Sequence, residues 1–333
     1  MPSPTREVDL PEEKEDALVW ASFNKECRAV LQMAPWPQST ATEVRLTALV
    51  EEGVLPAKEL VEWRVAGGEE FPTPNMDEIV VHTSFFQRGL SVPVHPFLRG
   101  LLYWYGLELH NLNPNGLLHV SCFITLCECF LGIEPHFALW KQLFIVKPQP
   151  SKSNPAVVGG AGFQLRPGSV KYYLDLLLQT SNKGWHSDWF YCSNPAPSLP
   201  GFQGQPPVVR SSWTEAPQTW EQAGVMVLMA RLCAAIEAGV IGVVVVTTFI
   251  YRRVQPSKLR AHPMYEYSDD QDATWESAEE LSEEEVRRRV GKLMAQGTDL
   301  DISGRPPPFS RSNPPSQVSN QFADFVVRDF CFY

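Results

Sequence analysis

The chain has 333 residues, 44% of them hydrophobic and 20% charged, with 29 prolines and 7 cysteines. A formal charge of −10 argues against a protein that coats nucleic acid by charge alone. An odd, sparsely spaced set of cysteines does not describe a secreted disulfide scaffold. Met1 to Asp16 has no apolar signal region, so an intracellular, soluble protein is expected. A nuclear address is not readable; Arg287-Arg288-Arg289 beside Glu283 to Glu285 is a weak import signal.

The acidity is uneven. Residues 1–75 carry 7 basic and 14 acidic side chains, residues 76–225 carry 9 and 9, and residues 226–333 carry 12 and 15. An acidic, disordered tail is therefore expected over 1–40. Thr42 to Gly53 reads as a short helix with an apolar face at Val44, Leu46, Leu49 and Val50, and with Gly53 as its C-terminal cap. Ala57 to Trp63 is a second short helical stretch. The pair has the outline of a helix-turn-helix. Glu51, Glu52, Glu59 and Glu62 would meet phosphates unfavourably, so plain core packing is the better reading.

Ile79 to His82 reads as a short strand. Pro96 fits the first position of a helix through Tyr105, where its missing N–H costs nothing. Asn113-Pro114 then opens the clearest element. Leu117 to Leu131 is almost continuously apolar, and Gly132 and Pro135 close it. A helix apolar on every side is buried on every side, so it should be the central helix of the fold. Phe137 to Phe144 gives one more helical piece. Three segments rich in β-formers follow, Phe163 to Arg166, Tyr172 to Leu176 and Trp189 to Cys192, and suggest a small antiparallel sheet appended to the helices.

Asn194 to Pro217 is dense in Pro, Ser and Gly and reads as a linker, 194–218. Thr219 and Gln222 form a capping box opening a helix to about Gly239, and Ser282 with Glu285 forms another opening a helix to about Ala295. Val240 to Val254 is open between strand and helix. Ala238 to Tyr251 is the strongest membrane-span candidate, but its 14 residues fall short of the roughly 20 a bilayer needs. Residues 301–333 read as a Pro/Ser-rich tail, its last residues an exposed-looking apolar end that hints at a fragment or an incomplete gene. The organisation expected is a core domain over 41–193, the linker, a helical part over 219–300 and the tail. The fold class is α+β, predominantly helical, with a buried central helix and a small appended antiparallel sheet.

Chemistry is sparse. His119, Cys122 and Cys129 share a helix face, but structural zinc sites usually draw paired cysteines from loops or turns, and cysteines inside an apolar helix behave as small hydrophobes. No metal and no cofactor is expected. Gly159-Gly160-Ala161-Gly162 lacks both the Lys-Ser/Thr ending of a P-loop and the third glycine of a dinucleotide fingerprint, and fits a turn between strands. Among Glu128, Glu134, Asp175 and Asp188 no spacing nominates a two-metal carboxylate set. Arg252, Arg253, Lys258 and Arg260 form a basic cluster that could touch phosphates; Glu266, Asp269 and Asp270 just beyond offer it partners instead.

The stretch from His82 to Lys147 carries Arg88-Gly89-Leu90, Pro93 with His95-Pro96-Phe97, the Leu112 to Asn115 turn, Cys127-Glu128, Phe130 to Pro135, and Trp140. Further on stand Gly184-Trp185 with Trp189-Phe190-Tyr191, then Arg252-Arg253-Val254-Gln255-Pro256 and Arg260-Ala261-His262-Pro263-Met264. In these motifs the chain resembles the gypsy-type transposon domain found in many plant proteins and labelled a transposase. The resemblance covers roughly residues 45–270 and is densest at 80–150. It implies descent from a mobile element of the long-terminal-repeat class and brings no catalytic residues with it. The expected role is a non-catalytic binding domain with protein partners. Nucleic acid is a weaker candidate partner, and no membrane or small-molecule ligand is evident. The alternatives are a metal-dependent strand-transfer domain and a capsid-like assembly domain.

Overall fold

Side-chain caps set the helix starts. In the computed structural model, which describes residues 36–92, 94–178, 183–250 and 283–294, α1 (Glu43–Glu51) begins where the Thr42 hydroxyl accepts from Arg45 N at 3.3 Å. A short α2 (Lys58–Val61) follows, then strand β1 (Glu78–His82) and the single turn α3 (Thr83–Phe86). Helix α4 (Pro96–Tyr105) has proline at its first position and His95 as its cap, with Nδ1 accepting from Phe97 N at 3.0 Å.

Central helix α5 (Pro114–Thr125) opens where the Asn113 carboxamide accepts from Gly116 N at 2.6 Å. It continues as a π-turn, Leu126–Leu131, and stops at Gly132 in the left-handed conformation, φ 61°. Ten of its twelve residues are buried, as the unbroken apolar run requires. The span Pro114–Leu131 is long and apolar enough to cross a membrane, and 78% of it is buried inside the protein, as suits a core helix. Around it lies an aromatic core. The Trp140 and Phe144 rings stack at 4.1 Å, and Phe97, Phe123 and Phe163 pack edge-on against Trp140 within 5.0–5.8 Å.

Two separate antiparallel ladders flank this core. Strand β2 (Phe144–Pro148) pairs with β3 (Ala161–Leu165), Val146 opposite Phe163. Strand β1 pairs with the distant β4 (Trp189–Ser193), Val80 opposite Tyr191. The fold is the expected α+β, mostly helical class. Among the described residues its strand material is two two-stranded sheets, and their inner residues are part of the core.

Several local expectations need correction. Phe144 starts a strand rather than ending helix α6 (Phe137–Leu143), because its backbone is taken up by β3. Residues 172–176 join no ladder: after a 3-10 turn at Val170–Tyr172, Tyr173, Leu174 and Leu176 bury their side chains without strand pairing. Helix α7 (Gln222–Glu237) starts with Glu221 and has no side-chain cap. The Glu221 carboxylate instead holds Lys141 Nζ at 2.9 Å and Gln218 N at 2.6 Å. The β-branched run is helical over α8 (Gly242–Phe249), which lies bent by 96° from α7. The last described helix is α9 (Glu283–Leu293), and the Ser282 of its expected capping box lies outside the described residues.

The stretch expected as a linker, 194–218, packs onto the core. Trp213 is buried and its indole N–H donates to Tyr105 O at 2.9 Å; Leu199 is buried as well. Arg166 fastens the end of this strap by donating to Thr214 O at 3.1 Å, Glu215 O at 2.9 Å and Lys141 O at 2.8 Å. Prolines keep it extended while Trp213 supplies the apolar burial that a free linker lacks.

Candidate functional site

The motif residues of the central stretch gather around α5 and act on one another. The Ser121 hydroxyl, in the middle of α5, donates to Arg88 O at 2.6 Å and ties the turn after α3 to the central helix. His95, capping α4, turns Nε2 toward Glu128 Oε1 at 3.6 Å, in the π-turn. The extra residue per turn that a π-turn inserts is what re-aims such a side chain. Asn113 both caps α5 and donates to Gln149 Oε1 at 3.1 Å. A Cβ at Gly162 would press on that carboxamide at 2.6 Å, so only glycine leaves room for it. Gly160 likewise has no space for a side chain, since a Cβ there would collide with the Ala156 carbonyl. The glycine cluster thus serves the connection between β2 and β3, in line with the turn expected from its sequence.

The other nominated residues are dispersed. His119 packs on Phe144 with ring centres 5.5 Å apart, and Cys122 and Cys129 are buried free thiols. Burial pushes the Cys122 thiol well above its ordinary range, which disfavours the thiolate a metal requires. Glu134 and Asp175 are exposed. Asp188 is buried, accepting from the Thr83 hydroxyl and pairing with Arg45 Nη2 at 2.6 Å, and so it locks α1 and α3 to β4. Among the described residues no three His, Cys, Asp or Glu side chains are grouped to hold a metal ion. Arg252, Arg253, Lys258 and Arg260 lie outside the described residues.

Two further features stand out. The first is the outer face of α7. Of its sixteen residues only Val225 and Leu232 are buried, one heptad apart on a single side. The opposite side shows Ala223, Val227, Ala230 and Ala234 at alternating steps of four and three, with Met226 beside them and Trp220 one turn earlier. Trp220 is 65% exposed, Met226 63% and Val227 54%. No charge interrupts this stripe between Trp220 and Glu237; Arg231 sits at its flank, donating to Leu131 O at 3.1 Å.

The second is a basic cleft of about 60 Å³. Arg288, Arg289 and Lys292 of α9 line it together with Arg88, after α3, and Glu52, after α1. Glu285 accepts from Arg288 Nε and Nη2, each at 2.6 Å, and from Arg289 Nε at 2.7 Å. These bonds hold its carboxyl down to about 2. Arg289 Nη2 donates to Glu52 O at 2.6 Å, which docks α9 on the end of α1. Arg88 is buried, and desolvation lowers its guanidinium to about 10. No local sequence signal could have found this cleft, because its walls come from four separate parts of the chain, around Glu52, Arg88, Ile250 and Arg289.

No curated protein and no solved structure matches the chain. A family model does match: over residues 79–148, from β1 through the central helix to the end of β2, the chain is similar to the family described as "Putative gypsy type transposon".

Proposed function

We propose that this transposon-related chain is a non-catalytic interaction domain that pairs with a second copy of itself through α7. The observation that carries the reading is the uncharged outer stripe of α7, opposite the face it buries. Exposed large apolar side chains in a continuous row are costly to leave in water and mark interaction surfaces. The spacing 223, 227, 230, 234 is the seam of a helix pair.

Residue size favours an antiparallel pairing about a twofold axis. In that arrangement Val227 lies against the partner's Ala230, and Ala223 against the partner's Ala234. Trp220 meets the partner's Glu237, where the indole N–H has a carboxylate to donate to. Small residues let the two backbones approach closely while Trp220 and Met226 close the ends. Pairing over four turns buries on the order of 1,000 Å² in total, the lower bound for a specific interface.

Sedimentation of the full chain over a range of concentrations tests this. A dimer is expected, and Ala230→Glu, which puts a charge on an exposed position at the middle of the seam, should shift it to monomer with the fold intact by circular dichroism. A wild-type chain that stays monomeric at about 100 µM overturns the reading, because helix pairs of this area should associate there. A dimer untouched by Ala230→Glu overturns the α7 assignment. Larger particles would point to the capsid-like alternative.

A further inference from the structure

We infer that Thr73 is a phosphorylation site for a proline-directed protein kinase, and that the phosphate unlatches the loop between Arg64 and Glu78. The base of this loop is closed twice. Arg64 and Tyr191 exchange backbone hydrogen bonds of 3.0 Å in both directions, and Glu78 begins β1, which pairs with the same strand β4. The Arg64 guanidinium also grips the Glu78 carboxylate, Nε to Oε1 at 2.6 Å and Nη2 to Oε2 at 2.7 Å. Residues 65–77 between them are neither helix nor strand, and form a surface loop whose ends lie close together.

Sequence and exposure together nominate the hydroxyl. Serine or threonine precedes proline in this chain only at Ser3-Pro4 and Thr73-Pro74, and Ser3 lies outside the described residues. Thr73 is exposed, as are Asn75, Met76 and Asp77 after it. The residue before a proline is driven toward extended backbone, and Pro74 has no N–H to leave unsatisfied. The segment therefore suits a kinase groove that takes an extended chain with proline after the acceptor, and no helix or ladder has to break. With a nucleoside triphosphate as donor, the γ-phosphorus bonds to Thr73 Oγ1 while its bond to the β-phosphate oxygen breaks. The hydroxyl proton passes to the kinase's base and the nucleoside diphosphate leaves.

The same hydroxyl latches the loop. Thr73 Oγ1 donates to Glu69 Oε2 at 2.7 Å, Thr73 N donates to the Tyr191 hydroxyl at 2.8 Å, and that hydroxyl donates to Glu69 in turn. Once esterified, Oγ1 has no hydrogen to donate, and its phosphate sets a charge of about −1.5 to −2 beside the Glu69 carboxylate. Arg64 is already engaged: its guanidinium lies 3.8 Å from the centre of the Tyr191 ring and holds Glu78 with two donors, while its Nη1 stays 3.7 Å from Glu69. Repulsion from Glu69 then opens the latch to Tyr191, and the Arg64–Glu78 clasp keeps the base of the loop closed.

Incubation of the full chain with magnesium ATP and an activated mitogen-activated kinase, in parallel with a cyclin-dependent kinase, tests the site by peptide mass spectrometry. Thr73 is the only hydroxyl-bearing residue in 64–82, so the peptide that gains phosphate identifies it. Phosphate on that peptide is expected from at least one kinase, and none is expected in Thr73→Val. Phosphate from neither kinase, at Ser3 alone, or on Thr73 only after heat unfolding overturns the site. Hydrogen exchange reads the latch. Amides of 69–77 should exchange about tenfold faster in the phosphorylated chain, as the loss of a hydrogen bond to a charged group allows. Thr73→Val, which loses the donor without gaining charge, should show a smaller rise. Exchange that phosphorylation leaves unchanged or slows overturns the unlatching, since it would mean that Arg64 has turned to hold the phosphate.

Discussion

The imidazole of His95 faces the carboxylate of Glu128 at 3.6 Å, joining the cap of α4 to the π-turn that ends the central helix. Both side chains are about nine-tenths buried. His95 therefore has two duties, because its other ring nitrogen caps α4 by accepting from Phe97 N. His95→Ala removes the cap, worth about 1 kcal/mol, and takes a close polar partner from a buried carboxylate, adding about 1–3 kcal/mol. His95→Asn keeps the cap and should recover only the first part. Urea denaturation of the two variants separates the duties; an unchanged stability in His95→Asn would mean that the contact with Glu128 adds nothing, and equal losses in both would mean that the cap adds nothing.

Trp213 should behave as a core residue although it sits in a Pro-rich strap. Trp213→Ala is expected to cost about 3–5 kcal/mol through the cavity it leaves and the indole bond lost to Tyr105. Limited proteolysis provides the second measure. The wild-type chain should resist cleavage within 194–218, and the variant should be cut there. Rapid cleavage of the wild type in that stretch would show a free linker.

The family-matched segment should not fold alone. Its two strands, β1 and β2, pair with β4 and β3, both of which lie beyond residue 148. A polypeptide of residues 79–148 would expose two unpaired strand edges and half of the aromatic core. Circular dichroism should show little cooperative melting, in contrast to the full chain. A sharp melt of the isolated segment would refute this.

His82 gives the pH prediction. It is fully buried between Phe85 and Trp185, and neither ring nitrogen has a hydrogen-bond partner. Burial, then the neighbouring His110 and His186, push it down to about 3, so it stays neutral in the fold. Below an ordinary value near 6.5 the unfolded chain takes up a proton that the folded chain refuses. The stabilisation is therefore complete above pH 6.5 and is lost as pH falls toward 3, at about 1.4 kcal/mol per pH unit once the unfolded group is fully titrated. His110, also held near 3 by burial, adds the same slope, while Glu108, raised to about 7 by burial, opposes one of them between pH 4.5 and 7. His82→Phe should stabilise the protein at pH 5 more than at pH 8. Equal effects at both would place His82 in contact with water.

The parts of the fold that were legible in the sequence are those decided by local chemistry. Asn113-Pro114 and His95-Pro96 open helices because a cap and a preset φ act within one turn. The apolar run after Leu117 is buried because no face of it tolerates water. The errors lie where distant partners decide. Phe144 to Pro148 ends a helical pattern yet becomes a strand because β3 returns beside it. Val243 to Val246 is open between strand and helix in the sequence, and packing beside α5 settles it as helix α8. Arg88 and Arg289 share a cleft that no spacing could reveal, whereas the spacing of the α7 stripe is present in the sequence and only the fold shows which side of the helix is exposed.

The pairing of Val80 with Tyr191 has a consequence for biogenesis. A ribosome releases β1 roughly a hundred residues before β4 exists, a delay of about 5–20 s at ordinary elongation rates, and the central helix also precedes β4. Throughout that interval the nascent chain presents a β-branched edge and a greasy helix that have nothing to close them. The segment that carries the family signature is thus the one most dependent on chaperones during translation, and the strand that pairs with its first strand arrives late.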